Sequence, residues 1–384
     1  MKIVLATGIY PPDIGGPATY VENLARELTR QGTETVVLTY GPGQGTSDAW
    51  PVVSVPKSGG PLLRWFRYAR ALKKHASDAD AVLCFSSVST GLPLRFAGLR
   101  KPKKILRLGG DFFWERYAAL GGTRSLKEWY AHAHHRHSIL DFLAYAVTRF
   151  FHRLTIPDIL HHFHELVFST HFQEEIYVRG FRRLPPHAVI ENALPAQLPL
   201  SQPMHLLRAD SLRGRTFRLL YLGRFVGFKN LPSLLRAVRE LPHTTITFVG
   251  DGPMKRRLQR LAEKLHIESR VHFVPSVHNL EKKQLLTEFD LLVLPSITEI
   301  SPNAALEARA MGLPVLLTSE TGLSDELTRG MVLRDTEQPS DIVRALLEVE
   351  QKYEHVANEA STPIAARSWQ DVADEWMALF QRLA

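Results

Sequence analysis

Two glutamates, Glu299 and Glu307, stand eight residues apart across a proline-bearing turn in PSITEISPNAALEARAMGLPV, residues 295–315. Pro302 and Asn303 should open a helix there, with Asn303 as N-cap because its short amide oxygen can accept from the first free amides. Gly312 sits where that helix stops, and Pro314 forbids its continuation. Glu299 is therefore expected in the loop ahead of the helix and Glu307 one turn inside it. Between them lies a helix N-terminus, whose unpaired N–H groups and positive dipole end attract an anion such as phosphate. Carboxylates beside a bound phosphate are useful as acceptors from hydroxyls, and a sugar nucleotide carries hydroxyls on both sides of its diphosphate. The spacing reads as a holder for a nucleotide sugar. Ordinary surface solvation competes with that reading for Glu299. It competes less well for Glu307, because Ala304, Ala305, Leu306, Ala308, Ala310 and Met311 make the helix apolar on nearly every face.

Further candidates gather after strand-like runs. In YLGRFVGFKNL (221–231), Gly223 ends an apolar run, and Arg224 and Lys229 project from the loop behind it. Basic groups at a strand's carboxyl end meet the ligand crevice of an open α/β sheet, where they would hold a diphosphate. FVGDGPM (248–254) puts Gly250 and Gly252 between a strand and a helix; close approach to a ligand and a plain turn both explain them. Gly15 and Gly16 precede a helix near the N-terminus and form a second candidate anion loop. The Gly8-to-Gly15 spacing is too wide for a dinucleotide fingerprint, and the second strand ends in Thr39-Tyr40-Gly41 without a ribose-binding acid. Both observations count against a nicotinamide dehydrogenase. Asp111, in LRLGGDFFW, either faces a cleft or is a turn aspartate. His132, His134, His135 and His137, with His161, His162 and His164, lack the companion ligands of a metal site, and HHFHE is not HExxH.

These residues need a scaffold, and the chain supplies two α/β series. KIVLAT (2–7), TVVLTY (35–40), DAVLCF (80–85) and KKILRL (103–108) form the first. TFRLLYLG (216–223), TITFVG (245–250), RVHFVP (270–275), DLLVLP (290–295) and PVLLTS (314–319) form the second. Continuous apolar runs separated by helical patterns predict parallel sheets buried on both faces. The expected fold is α/β, with two doubly wound domains facing across a cleft. An N-terminal domain would cover 1–198, a C-terminal domain 199–365, and a last helical pattern, 366–384, either completes the second domain or crosses back to the first. The joint is placed within the Pro-rich stretch 192–215. Residues 112–165 break the alternation with aromatic, Arg and His residues at helical spacing; they read either as helices packing on the sheet or as an amphipathic insertion at a membrane surface.

At 384 residues with 45% hydrophobic and 22% charged content, the chain is long enough for two cores. The single Cys84 excludes an intrachain disulfide and fits a reducing compartment. MKIVLATGIYPP lacks a signal peptide's core and cleavage site, and no run reaches the ~20 apolar residues of a spanning helix. A formal charge of +8 favours anionic partners, whether phosphates, anionic lipids or nucleic acid. The last is not expected, because no aromatic-basic platform or helix-turn-helix pattern accompanies the charge.

GGPATYVENLARELTRQG, LGRFVGFKNL, GDGP and the Glu299–Glu307 segment followed by AMGLPV, in this order, resemble the retaining GT-B-fold glycosyltransferases known as family 4. The resemblance covers about 217–335 and, less fully, about 1–40. It implies two Rossmann-like domains, with the donor nucleotide in the second and the acceptor mostly on the first. It implies that Glu299 contacts the donor sugar and Glu307 the ribose. Arg224 and Lys229 would neutralise the diphosphate, and the backbone of Ser301, Pro302, Asn303 and Gly16 would add amides. The base would be read near Val277. The expected chemistry is front-side displacement with retained configuration and no metal or other cofactor, the leaving phosphate oxygen taking the acceptor proton. The expected acceptor is a lipid-linked or cell-surface glycan precursor, met at the cytoplasmic face of an anionic membrane. A soluble sugar acceptor, a sugar-nucleotide epimerase and a catalytically silent nucleotide-sugar-binding protein are the alternatives. Two departures stand out. Glu299-Ile300-Ser301-Pro302 replaces a common Glu-Gly-Phe-Gly, and Gly110-Asp111 stands where relatives often carry His-Asp, leaving Asp111 as the substitute for a missing histidine contact.

Overall fold

The computed structural model describes residues 1–13, 15–41, 49–132, 138–194, 215–277, 279–364 and 366–384. Its first sheet contains β1 (Lys2–Ala6), β2 (Glu34–Tyr40), β3 (Val52–Val55), β4 (Ala81–Cys84), β5 (Lys103–Leu108), β6 (Glu165–Phe168) and β7 (His187–Val189), in the order β3-β2-β1-β4-β5-β6-β7. The second contains β8 (Phe217–Leu222), β9 (Thr244–Val249), β10 (Val271–Val274), β11 (Leu291–Leu294), β12 (Val315–Thr318) and β13 (Val332–Arg334), in the order β10-β9-β8-β11-β12-β13. Strand pairing within both sheets is parallel. Strand order reverses between β1 and β4 in one sheet and between β8 and β11 in the other. Those reversals open crevices at the strands' carboxyl ends, where an α/β sheet binds its ligands. Both α/β series therefore fold as two Rossmann-like domains.

Apolar side chains from both faces of each sheet fill the cores, as continuous Val/Ile/Leu strands require. The helix Trp369–Leu383 leaves the second domain and packs on the first. Trp376 is fully buried with Ile3, Leu5 and Leu24, and its indole N–H donates to Tyr20 Oη at 2.8 Å. A capping box between Ser368 and Asp371 starts this helix, and Arg382 near its end pairs with the buried Glu165 at 2.5 Å. Leu194 and Arg367 form an antiparallel bridge, so the two chain crossings run side by side. The boundary expected at 198/199 lies outside the described residues.

The segment 112–165 folds as helices Phe112–Ala119, Leu126–Ala131 and Ile139–Leu160, followed by the start of β6. The reading as helices packing on the sheet holds for its inner face. Trp114, Trp129, Tyr130, Ile156 and Leu160 pack in the first domain's core. The outward face of Ile139–Leu160 carries Ile139, Leu140, Phe142, Leu143, Val147, Phe150, Phe151 and Leu154, all exposed, while Asp141, Arg149 and His152 are buried on the inner face. Arg124 satisfies Asp141 at 3.3 Å, and the Arg149 guanidinium stacks 4.5 Å above Trp129. Polarity on this helix is reversed from that of an ordinary surface helix. No helix among the described residues is long and apolar enough to cross a membrane.

Candidate active site

The second domain brings its charged candidates together at the β8/β11 reversal. After β8 the chain turns through Arg224, which is exposed, and Phe225, which is fully buried and anchors the loop. A 3-10 turn, Gly227–Lys229, then carries the lysine across to the loop that follows β11. Lys229 Nζ donates to Glu299 Oε1 at 2.5 Å, and Ser296 Oγ donates to the same oxygen at 2.5 Å. Ile297 N–H bonds to the Phe228 carbonyl at 2.8 Å and ties the two loops together.

Glu299 does not hang free. It is only 5% exposed, and its backbone forms a parallel bridge beside Thr321, donating to Glu320 O at 2.9 Å and accepting from Gly322 N at 2.7 Å. Gly250 and Gly252, at φ +143° and +157°, approach neighbouring backbone instead of open space. A β-carbon at Gly250 would collide with the Gly223 carbonyl, and one at Gly252 would stand 2.5 Å from that of Phe225. These glycines let two loops nest, which is the plain-turn reading of GDGP.

The helix after Glu299 runs Asn303–Ala310, with Pro302 as its N-cap and no side-chain capping bond. Asn303 is not the cap expected from sequence, because its amide is engaged elsewhere. Asn192, from the loop after β7, donates to Asn303 Oδ1 at 2.8 Å and to Ser301 Oγ at 3.0 Å. Asn192 Oδ1 in turn accepts from Arg107 Nη2 at 2.6 Å, and the Arg107 guanidinium lies 3.8 Å above the Tyr20 ring. Across the cleft, a β-carbon on Gly16 would sit 3.8 Å from Asn303 Nδ2. Gly16 opens the helix Gly16–Arg30. Two helix N-termini, one from each domain, thus face the same space, doubling the positive partial charge available to an anion. Glu307, one turn further in, is half-buried and pairs with Lys282 Nζ at 2.7 Å. Val277 is half-buried against the second domain's core.

Two family models match in tandem: Glycosyltransferase Family 4 over residues 14–136 and Glycosyl transferases group 1 over residues 207–361. The chain belongs to these glycosyltransferases. Among curated relatives, the lipopolysaccharide glucosyltransferase WaaG of Escherichia coli (strain K12) is 31% identical over 159 residues, which are 40% of this chain and 41% of that protein. The chain thus spans less than half the length of that relative. Sucrose-phosphate synthase from Thermosynechococcus elongatus superposes with a TM-score of 0.72 at 15% identity, covering 100% of this chain and 98% of the other. Anabaena HepE in complex with UDP-glucose gives 0.67 at 15%, with the same coverage. The structural likeness establishes the GT-B fold.

On that glycosyltransferase scaffold, Asp111 takes the second of the two places the sequence allowed. It is 3% exposed and caps the helix Phe112–Ala119, accepting from Trp114 N at 2.9 Å. Its other oxygen accepts from Tyr130 Oη at 2.7 Å and Tyr177 Oη at 2.8 Å. With these acceptor sites engaged, the carboxylate faces the domain interior and supplies no cleft contact, the turn reading of the sequence. The histidines are similarly occupied where described. His132 Nε2 meets Arg149 at 3.1 Å and Arg153 at 2.6 Å, and burial lowers the His152 pKa to about 4. His134, His135 and His137 lie outside the described residues.

Sequence reasoning missed three cleft residues in the first domain: Arg107, Asn192 and Glu115. Arg107 sits inside an apolar run, and Asn192 opens the Pro-rich stretch assigned to the joint. Glu115 follows Asp111 by four residues in an aromatic segment that resembled packing helix. Their common signal is position: each lies at or just behind the carboxyl end of a first-sheet strand.

Proposed function

We propose that this protein is a retaining glycosyltransferase that moves a sugar from a UDP-sugar or GDP-sugar to a lipid-linked or cell-surface polysaccharide precursor. The observation that carries the reading is the Lys229–Glu299–Ser296 cluster with Arg224 beside it, facing the paired helix N-termini at Asn303 and Gly16. Diphosphate entering this space would meet two cations and two sets of first-turn amides, and Glu299 would accept from the attached sugar. Glu307, deeper along its helix, would accept from a ribose hydroxyl. The acceptor hydroxyl would attack the anomeric carbon from the face the nucleotide leaves, its proton passing to the departing phosphate oxygen. Arg224, Lys229 and the helix termini would stabilise the negative charge that develops there. The names of related proteins, a lipopolysaccharide glucosyltransferase and a UDP-glucose complex among them, support both the donor class and a glycan acceptor.

The exposed apolar face of Ile139–Leu160 favours an acceptor that is met on a membrane. The helix Gly60–Ala76 also exposes Leu62, Leu63 and Phe66 beside Arg64, Arg67, Arg70, Lys73 and Lys74. Apolar side chains flanked by cations suit an anionic lipid surface. Calorimetric titration with UDP and GDP, wild type beside Glu307→Ala, tests the donor site. One nucleotide should bind, and the variant should bind it more weakly; no binding of either would refute the reading.

A further inference from the structure

Glu115 lies on the helix Phe112–Ala119, in the first domain, yet it answers to charges of the second. Trp114 packs on Phe228, their ring centroids 5.3 Å apart, and a β-carbon at Gly227 would stand 2.5 Å from the Ala118 carbonyl. Residues three and four apart share one face of a helix, so Glu115 points to the same side as Ala118 and Ala119, toward the turn that carries Lys229. The side chain is half-buried, and no group among the described residues hydrogen-bonds its carboxyl. Its Oε1 lies 2.6 Å from where a β-carbon on Gly110 would stand, so the missing side chain at 110 leaves the space that Glu115 fills.

Resting on the donor-site reading above, we propose that Glu115 touches the transferred sugar. It would exchange a hydrogen bond with one sugar hydroxyl from the first-domain wall while Glu299 holds the sugar from the other. A half-buried carboxyl with no hydrogen-bond partner among the described residues keeps its acceptor sites for a ligand, and the sugar is the part of the donor that would lie between the diphosphate cations and this wall. The charges around Glu115 agree. Desolvation raises its pKa to about 7, Asp111 adds to the rise, and Arg224, Lys229 and Arg116 oppose it. A group poised between its two protonation states near neutral pH fits a hydroxyl, which can either donate or accept. It fits a phosphate oxygen poorly.

UDP and UDP-glucose are titrated calorimetrically into the full chain, wild type beside Glu115→Ala and Glu115→Gln, with GDP and GDP-mannose used instead if wild type prefers GDP. In Glu115→Ala the affinity for the bare nucleotide should hold or improve, since a neighbouring negative charge is gone. The added affinity from the sugar should fall at least about tenfold, and Glu115→Gln should retain most of it. A sugar increment that Glu115→Ala leaves unchanged overturns this assignment and spares the donor site. Wild type that binds neither nucleotide overturns both.

Discussion

Lys229 Nζ and Glu299 Oε1 stand 2.5 Å apart, so the cation proposed to meet a diphosphate is held by the carboxylate proposed to meet its sugar. Each neutralises the other inside a poorly solvated crevice. A donor can take both only by splitting the pair, giving the lysine a phosphate oxygen and the glutamate a hydroxyl. Neither residue then remains buried with an uncompensated charge.

Replacement of Lys229 by Ala should therefore have two separable effects. UDP or GDP affinity should fall by about 10- to 150-fold, the worth of a charge-assisted bond of roughly 1.5–3 kcal/mol. Stability should fall too, because among the described residues Glu299 keeps only Ser296 as a side-chain partner. Adding Glu299→Gln should recover the stability and leave nucleotide binding weak. Calorimetry and denaturant melts on both variants read the two effects independently.

Asp111→Asn should be a stability variant. The carboxylate caps a helix and accepts from two buried tyrosines. Loss of those charge-assisted bonds should cost about 1–3 kcal/mol. Nucleotide affinity measured below the melting transition should stay within twofold of wild type. A large loss of affinity in a fully folded Asp111→Asn protein would refute this structural role.

Glu115 couples folding to pH in a definite direction. Its folded pKa of about 7 lies above the ordinary 4.5, so the folded protein binds this proton more tightly than the unfolded chain does. Its contribution is most favourable below about pH 4.5 and is lost as pH rises through 7. Relative to wild type, Glu115→Gln should gain stability between pH 4.5 and 8, by up to about 3 kcal/mol. Parallel melts at pH 5 and 8 give the difference directly.

Phe150→Glu with Phe151→Glu should abolish binding to anionic vesicles and leave stability within about 0.5 kcal/mol, since these rings are 60% and 50% exposed. Cosedimentation with phosphatidylglycerol vesicles measures the first, and a urea melt the second. Undiminished sedimentation would remove this helix from the membrane reading.

The scaffold was largely legible in the sequence, because each of the apolar runs assigned as strands contains one within a residue at either end. Strands buried on two faces announce themselves through unbroken Val/Ile/Leu content. β6 escaped notice for a physical reason: its Glu165 is buried beside Arg382, more than two hundred residues away in the sequence. β7 and β13 are three-residue edges, too short to show a pattern. At the site, Glu299, Lys229 and the helix opening at Asn303 could be seen because a turn and a cap have local signatures. Glu115 could not, because what distinguishes it is a loop from the other domain. Asp111 stayed open between a cleft and a turn role because the tyrosines that claim it, Tyr130 and Tyr177, are distant in sequence.

The helix Trp369–Leu383 has a consequence for how the protein is made. A ribosome delivers the first sheet early, yet Trp376, Leu379 and Phe380, which close over β1, β4 and the helix Gly16–Arg30, emerge only after the whole second sheet. Until then the nascent first domain presents an uncovered apolar trough while the second domain is still being translated. Synthesis order and folding order are therefore at odds, and the waiting surface is one that chaperones recognise. Synonymous changes that slow translation late in the message should prolong that exposure, whereas a last helix supplied in trans as a peptide should shorten it.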